Sequence, residues 1–70
     1  MEEEIGDAAG TIWQYLDEHG ETTLIRLKQG TKLPERIVLM GIGWLAREGK
    51  VRVVREGRTA KVDLKERRAR

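Results

Sequence analysis

The chain has no cysteine and no serine among its 70 residues, and it has a single histidine and a single proline. The lack of cysteine excludes disulfides and cysteine-ligated metals, and it is typical of a reducing compartment. Without cysteine or serine the chain lacks the usual nucleophiles of covalent catalysis. Its single histidine, His19, has only Asp17 and Glu18 beside it in the sequence. Those three could hold a metal weakly, but a solvated helix end is the favoured interpretation. We predict a protein that is not an enzyme and needs no metal or cofactor.

Long hydrophobic runs are also missing. The longest apolar run, residues 37–46, is about half of the ~20 residues that a membrane-spanning helix needs. Three glutamates follow Met1, where an export signal would carry positive charge. Gly41-Ile42-Gly43 lies within a predicted helix and lacks the strand-turn-helix context of a phosphate-binding loop. These absences predict a soluble cytoplasmic protein with no membrane contact and no evident small-molecule substrate.

The small size of the chain makes the apolar run informative. A domain of this length buries only about 60% of the surface that its unfolded form exposes. Ten consecutive apolar residues cover every side of a helix, and such a helix is normally buried on more than one side. Oligomerisation is the common way to supply the missing contact in a chain without disulfides or metals. The run therefore favours a second subunit.

Acidic and basic residues are segregated along the chain. The first 25 residues carry seven acidic side chains and no Lys or Arg, whereas residues 26–70 carry all 14 basic side chains and five acidic ones. Such asymmetry indicates a molecule with one side facing a polyanion. Ordinary surface charge is the alternative interpretation.

The first half of the chain has the pattern of two helices. One apolar face repeats at helical spacing through helix 1, and Gly20 ends it; the face consists of Ile5, Ala9, Ile12 and Leu16. Glu21–Thr23 could form a short strand, in which Thr23 would cap helix 2. We predict helix 2 from Leu24 to about Gln29, followed by a turn at residues 30–32.

Helix 3 follows, with Pro34 at its start and Gly49 at its end. A helical wheel predicts one face toward the domain core, formed by Val38, Gly41, Ile42 and Leu45. The opposite stripe is Arg36, Met40, Gly43 and Arg47. In a DNA-reading helix this stripe would enter the major groove, but between its two arginines it offers no amide or hydroxyl to base edges.

A hairpin is predicted after Gly49, with Glu56-Gly57 as a two-residue turn. This turn would place Arg55 opposite Arg58 and Arg52 opposite Lys61. Like-charged pairs across a ladder are destabilising, which favours a polyanion alongside; side chains that splay into solvent are the alternative. Alternation would turn four residues inward, namely Val51, Val53, Ala60 and Val62.

The order of helix, short strand, helix, turn, helix and hairpin is that of a winged helix-turn-helix. The chain resembles a family of small stand-alone prokaryotic winged helix-turn-helix domains of unknown function, over residues 4–64. The resemblance rests on Ile5-Gly6, Ala9-Gly10, Ile12-Trp13, Leu39-Met40 and residues 43–50. It implies an α+β winged-helix fold, with three helices and a C-terminal β-hairpin wing, and a homodimer. We predict one domain over residues 1–64 and a disordered basic tail over residues 65–70.

Two functions from different classes follow from these patterns. The first is a homodimer that binds double-stranded DNA mainly through phosphates, with an expected role related to transcription. Its predicted contacts are basic residues of the wing and helices, namely Arg52, Arg55, Arg58, Lys61, Arg36, Arg47, Lys32, Lys28 and Arg26. The second is a protein-interaction module that binds no nucleic acid. In both, the predicted dimer contact is formed by Leu39, Met40, Gly43 and Trp44.

Overall fold

The computed structural model describes residues 2–65 and has the predicted α+β architecture. Three helices and three strands follow in the order α1 (Glu2–His19), β1 (Thr22–Thr23), α2 (Leu24–Thr31), α3 (Glu35–Arg47), β2 (Val51–Glu56) and β3 (Thr59–Leu64). The predicted tail lies almost wholly outside the described residues; within them, the Lys65 N–H donates to the Lys50 carbonyl at 2.9 Å.

The core lies where α1, α3 and the sheet meet. Its fully buried large side chains come from four elements, namely Ile12, Leu16, Leu27, Val38 and Val62. The apolar face predicted for α1 accounts for two of them, and that helix ends as predicted. Gly20 has a φ of 80°, which glycine adopts without strain, and its N–H donates to the Leu16 carbonyl at 2.8 Å.

The short strand and the cap before α2 are both confirmed. Thr22 is buried and pairs with Val62 in β3, while the Thr23 hydroxyl accepts from the Arg26 N–H at 3.2 Å. The predicted end of the helix was wrong. Instead of ending near Gln29, α2 continues through Thr31, whose hydroxyl donates to the Leu27 carbonyl at 2.7 Å. The turn of the helix-turn-helix is therefore residues 32–34.

Lys32 ends α2 in the left-handed region, with a φ of 61°, and its N–H donates to the Lys28 carbonyl at 2.9 Å. A side chain with a Cβ is strained in this conformation, whereas glycine is not. We expect Lys32→Gly to raise the free energy of unfolding by about 0.5–1 kcal/mol in urea unfolding. Lys32→Ala removes the same charge but keeps the Cβ, so it should bring no gain. Equal effects of the two substitutions would contradict this explanation.

The core face predicted for α3 is confirmed, since its buried residues are Val38, Gly41, Ile42 and Leu45. Gly41 lies at the closest approach of α3 to α1. A Cβ built on it would lie 2.7 Å from Cδ1 of Ile12 and 3.5 Å from the backbone nitrogen of Ala9. Helix 3 ends at Arg47, and Gly49, with a φ of 74°, turns the chain toward β2.

The three strands form an antiparallel sheet in the order β1-β3-β2. The predicted register of the hairpin was wrong by two residues. Gly57 and Arg58 form the turn, so that Glu56 pairs with Thr59 and Val53 pairs with Val62. Gly57 has a φ of 61°, and a two-residue hairpin turn favours glycine at its first central position in just this conformation.

The corrected register removes both predicted like-charged pairs. Arg55 stands opposite Ala60, and Arg52 stands opposite Asp63. The repulsion that favoured a polyanion beside the wing therefore does not exist in this ladder. A shift of two residues leaves each side chain on its predicted face. Val53 nevertheless stays 42% exposed although its partner Val62 is buried, because Val53 lies on β2, an edge strand of the sheet.

Candidate nucleic-acid interface

The end of the wing carries two exposed arginines. Arg58 occupies the turn, and Arg55 lies on the face of the hairpin that looks toward α2. The salt bridges found among residues 2–65 involve neither of them. Guanidinium groups placed in this way can contact phosphate oxygens without first breaking an ion pair.

Three other predicted contacts already have acidic neighbours. The Nζ of Lys61 lies 3.2 Å from Oε1 of Glu56, and the Nζ of Lys28 lies 3.5 Å from Oε1 of Glu35. Arg52 stands across the ladder from Asp63. An acidic neighbour reduces the local positive potential, so these residues are weaker candidates for phosphate contacts than the two arginines at the end of the wing.

The remaining predicted contacts lie on the helices. Arg26 borders a shallow groove shared with Glu21 and Lys61, and Lys32 is exposed at the end of α2. Arg36 and Arg47 are exposed at opposite ends of α3. The nine predicted residues thus do not form one cluster: they are distributed over the wing, the start and end of α2, and the outer stripe of α3.

The C-terminal half of the α3 stripe is part of an apolar groove rather than an open recognition surface. The groove measures about 470 Å³ and is lined by Ile5, Met40, Gly43, Trp44, Arg47 and Glu48. Ile5 lies in the first turn of α1, so this turn borders the groove. Glu3 and Glu4, in the same turn, are exposed. Carboxylates at this position would repel phosphates, which weakens Arg47 as a nucleic-acid contact.

A second groove adjoins the first across Trp44, which is 41% exposed. It is lined by α1 as well as α3, through Gly6, Ala9, Gly10, Trp13, Trp44, Leu45 and Lys50. A Cβ built on Gly6, Gly10 or Gly43 would meet no atom within 4 Å, so packing within the chain does not require glycine at these positions. We call this continuous surface the Trp44 face; it consists of Ile5, Gly6, Gly10, Trp13, Met40, Gly43 and Trp44.

The structure divides the predicted dimer contact. Met40, Gly43 and Trp44 lie together on the Trp44 face. Leu39 is 48% exposed but does not line either groove, because it lies on the other flank of α3. The predicted contact contained no residue of α1, which lines both grooves; in the sequence, Gly6 and Gly10 were compatible with either a frayed first turn or a close contact with another backbone. A usable signal was present, since glycine inside a helix costs about 1 kcal/mol relative to alanine, and Gly6 and Gly10 are spaced by one helical turn.

The acidic group around His19 has a structural explanation. The imidazole stacks on the ring of Tyr15, with 4.2 Å between the ring centroids, and its Nε2 lies 4.0 Å from Glu18. No group of three or more metal-binding side chains is found within residues 2–65. In the same part of the chain, no helix has the length and apolar character to cross a membrane.

Comparison with known proteins agrees with this geometry. The family described as Winged helix-turn-helix domain (DUF2582) matches residues 1–64. The chain belongs to this family. The wing is therefore β2, β3 and their turn, and α3 stands where winged-helix proteins place the recognition helix. Winged-helix folds commonly bind DNA, although the family has no assigned function.

A solved member of the same structural class supports the assignment. The solution NMR structure of protein BT2368 from Bacteroides thetaiotaomicron is 28% identical to the chain, with a TM-score of 0.81. The match covers 91% of this chain and 79% of that one. No curated protein matches the chain.

Proposed function

We propose that this winged-helix domain binds double-stranded nucleic acid through its wing, and that it does so as a homodimer joined through the Trp44 face. The observation that carries the first part is the pair Arg55 and Arg58, exposed at the end of the wing and without a salt bridge among the described residues. Contacts from arginine to phosphate supply affinity but carry no sequence information by themselves.

The composition of α3 supports binding of low sequence specificity. Side chains that discriminate base pairs are arginine, lysine, amides and hydroxyls, aimed at base edges in the major groove. Between Arg36 and Arg47 the outer stripe offers only Met40 and Gly43. A role in transcription would then depend on a partner or on DNA shape rather than on direct readout by this helix.

The homodimer is supported by the Trp44 face. Scattered apolar side chains are normal on a surface, but here two grooves adjoin along two helices of a very small domain. The grooves of this face carry both charge signs, since Arg47 and Glu48 line the first and Lys50 lines the second. A two-fold contact brings the same patch together with itself, so a patch with both signs can pair with its own copy.

Binding to random duplex should fall steeply with salt. About five phosphate contacts predict a 100- to 1,000-fold loss of affinity between 50 and 200 mM salt, because each contact releases condensed counterions. Fluorescence anisotropy with a labelled random duplex measures this slope directly. As a control, Lys61→Gln should change the slope little, since Lys61 already lies beside Glu56.

A second function remains open and has its own supporting observation. Because the Trp44 face is apolar and lies on the helix that would otherwise read DNA, the domain could serve protein association alone. In that case no duplex binding would be measurable at about 50 mM salt, where a handful of phosphate contacts suffices, while self-association would persist.

A further inference from the structure

We propose that the groove between α2 and the wing is a docking site for an acidic, amphipathic segment of a partner protein. This α2–wing groove measures about 350 Å³ and is lined by Leu24, Ile25, Val53, Arg55, Arg58, Thr59 and Ala60. It lies apart from the Trp44 face and shares no residue with it.

The floor of the groove is aliphatic and open to solvent. Ile25 is 58% exposed and Val53 is 42% exposed, and the half-buried Leu24 and Ala60 join them into one surface. The volume is within the ~300–1,000 Å³ of ordinary binding clefts, which is sufficient for a few anchoring side chains. Helix-in-groove recognition uses such a floor for apolar side chains spaced by three or four residues.

Two charges determine the kind of partner. Arg55 and Arg58 both line the groove, and no acidic residue within residues 2–65 lines it. A segment that fills the floor with apolar side chains and presents carboxylates at its flanks would satisfy both the floor and the arginines. A basic segment would be repelled by the arginines, and a segment without apolar side chains would leave the floor unfilled.

A nucleobase is a less suitable occupant. Bases bound outside a duplex are usually held by stacking on aromatic rings. The three aromatic residues of the chain lie elsewhere: Tyr15 stacks on His19, and Trp13 and Trp44 belong to the Trp44 face.

A second copy of the chain is also a less suitable occupant. Its acidic residues are concentrated on α1, which could supply charge. The large apolar side chains that are exposed within residues 2–65 all lie on other elements, namely Ile25, Leu39, Trp44, Val53 and Val54. The acidic helix therefore has no exposed large apolar side chain to fill the floor.

Occupancy of the groove would cover the two arginines of the proposed nucleic-acid contact. An acidic segment would then compete with nucleic acid for the wing, and this consequence alone rests on the proposed function. The docking site itself is tested without nucleic acid, so the two proposals can fail separately.

The experiment is an NMR titration of the ¹⁵N-labelled full chain with a helix-forming peptide of about 15 residues. The peptide carries leucine at positions i, i+4 and i+7 and glutamate at the flanking positions. We expect the largest amide shift changes at residues 24–25, 53–55 and 58–60. A peptide with glutamine in place of glutamate should bind more weakly, and one with serine in place of leucine should not bind measurably.

Adjacent valines on opposite faces of β2 supply a matched pair of variants. Val53 faces the groove and is 42% exposed, while Val54 faces away and is 43% exposed. Val53→Thr should weaken peptide binding about three- to tenfold, because it places a hydroxyl on the apolar floor. Val54→Thr makes the same change in the same strand and should leave the affinity within about twofold of the wild type.

Several outcomes would overturn the proposal. They are the absence of groove shifts at about 1 mM peptide, equal weakening by both valine variants, and undiminished binding of the serine peptide, which would indicate charge attraction alone. A single-stranded oligonucleotide that binds in a Val53-dependent way, where the peptide does not, would assign the groove to nucleic acid instead.

Discussion

Replacing Gly41 by leucine is expected to lower the free energy of unfolding by about 3 kcal/mol. Even a Cβ at this position would overlap Cδ1 of Ile12, at 2.7 Å, and the backbone of α1 lies directly behind it. The end of the Ile12 side chain can turn away from a Cβ, but the backbone nitrogen of Ala9 lies only 3.5 Å from the Cβ position. The longer leucine side chain therefore requires α1 and α3 to move apart. A domain of this size has a total stability of only about 4–10 kcal/mol, so about 1–7 kcal/mol would remain and the ratio of unfolded to folded molecules would rise by about 100-fold.

Gly43→Leu is the matched control, two residues along the same helix. A Cβ on Gly43 meets nothing within 4 Å, so the side chain has space within its own chain. Chemical unfolding at two protein concentrations separates the intrinsic stability from any stabilisation by association. Similar losses from the two leucines would contradict the assignment of Gly41 to the packing of α1 on α3.

Replacing Trp44 by glutamate is expected to abolish the proposed homodimer and leave a monomer. The substitution places a charge at the centre of the Trp44 face, where burial against a second copy would leave it without a partner. The loss of affinity should be at least about 100-fold, which sedimentation equilibrium at micromolar concentration would detect. Met40→Glu should behave in the same way.

Ile25→Glu controls for the general effect of a surface charge. Ile25 is the most exposed large apolar residue within residues 2–65, at 58%, and it lies in the α2–wing groove, so this variant should keep the proposed dimer. A wild-type monomer at micromolar concentration would contradict the proposed dimer. So would a Trp44→Glu variant that folds and stays dimeric.

Substituting a glycine of the Trp44 face should change the stability of the monomer and the affinity of the dimer in opposite directions. Gly10→Ala should stabilise an isolated monomer by about 1 kcal/mol, since alanine is the better helix former and has space within the chain. If a partner backbone approaches at Gly10, the same methyl group should weaken the dimer. Measuring the free energy of unfolding and the dimer dissociation constant of this one variant therefore separates folding from association.

Helix 3 shows what the sequence could predict. Its buried face of Val38, Gly41, Ile42 and Leu45 follows from the helical period alone, because 3.6 residues per turn leave little freedom in assigning sides. The end of α2 was predicted less well. Gly30 and Thr31 have the composition of a turn, yet the Thr31 hydroxyl bonds back to Leu27 and both residues stay helical.

The hairpin register shows where local sequence was insufficient. Glu56-Gly57 and Gly57-Arg58 both suit a two-residue turn, and the two registers leave every side chain on the same face. The observed register, with Gly57-Arg58 as the turn, places Leu64 opposite Val51, and both side chains are buried. The like-charged pairs of the predicted register were a usable warning, because the alternative turn removes them.

The candidate surfaces depend on contacts that a linear pattern does not contain. The Trp44 face requires the first turn of α1 to lie beside the end of α3, and the α2–wing groove requires Ile25 to lie beside Val53. From the sequence, the basic residues of the wing were predicted as nucleic-acid contacts on the basis of their charge alone. The ion pair between Lys61 and Glu56 became visible only when the register was known.

In the proposed function, nucleic acid binds the wing and the C-terminal half of α3 does not read its bases. The most direct test measures the salt dependence of duplex binding for two charge-matched double variants, Arg55→Gln with Arg58→Gln and Arg36→Gln with Arg47→Gln. The wing variant is expected to lose about 1.8 units of the log–log slope for each wing that contacts the duplex, at about 0.9 per phosphate contact, while the α3 variant loses less than half as much. A larger loss from the α3 variant would contradict the account.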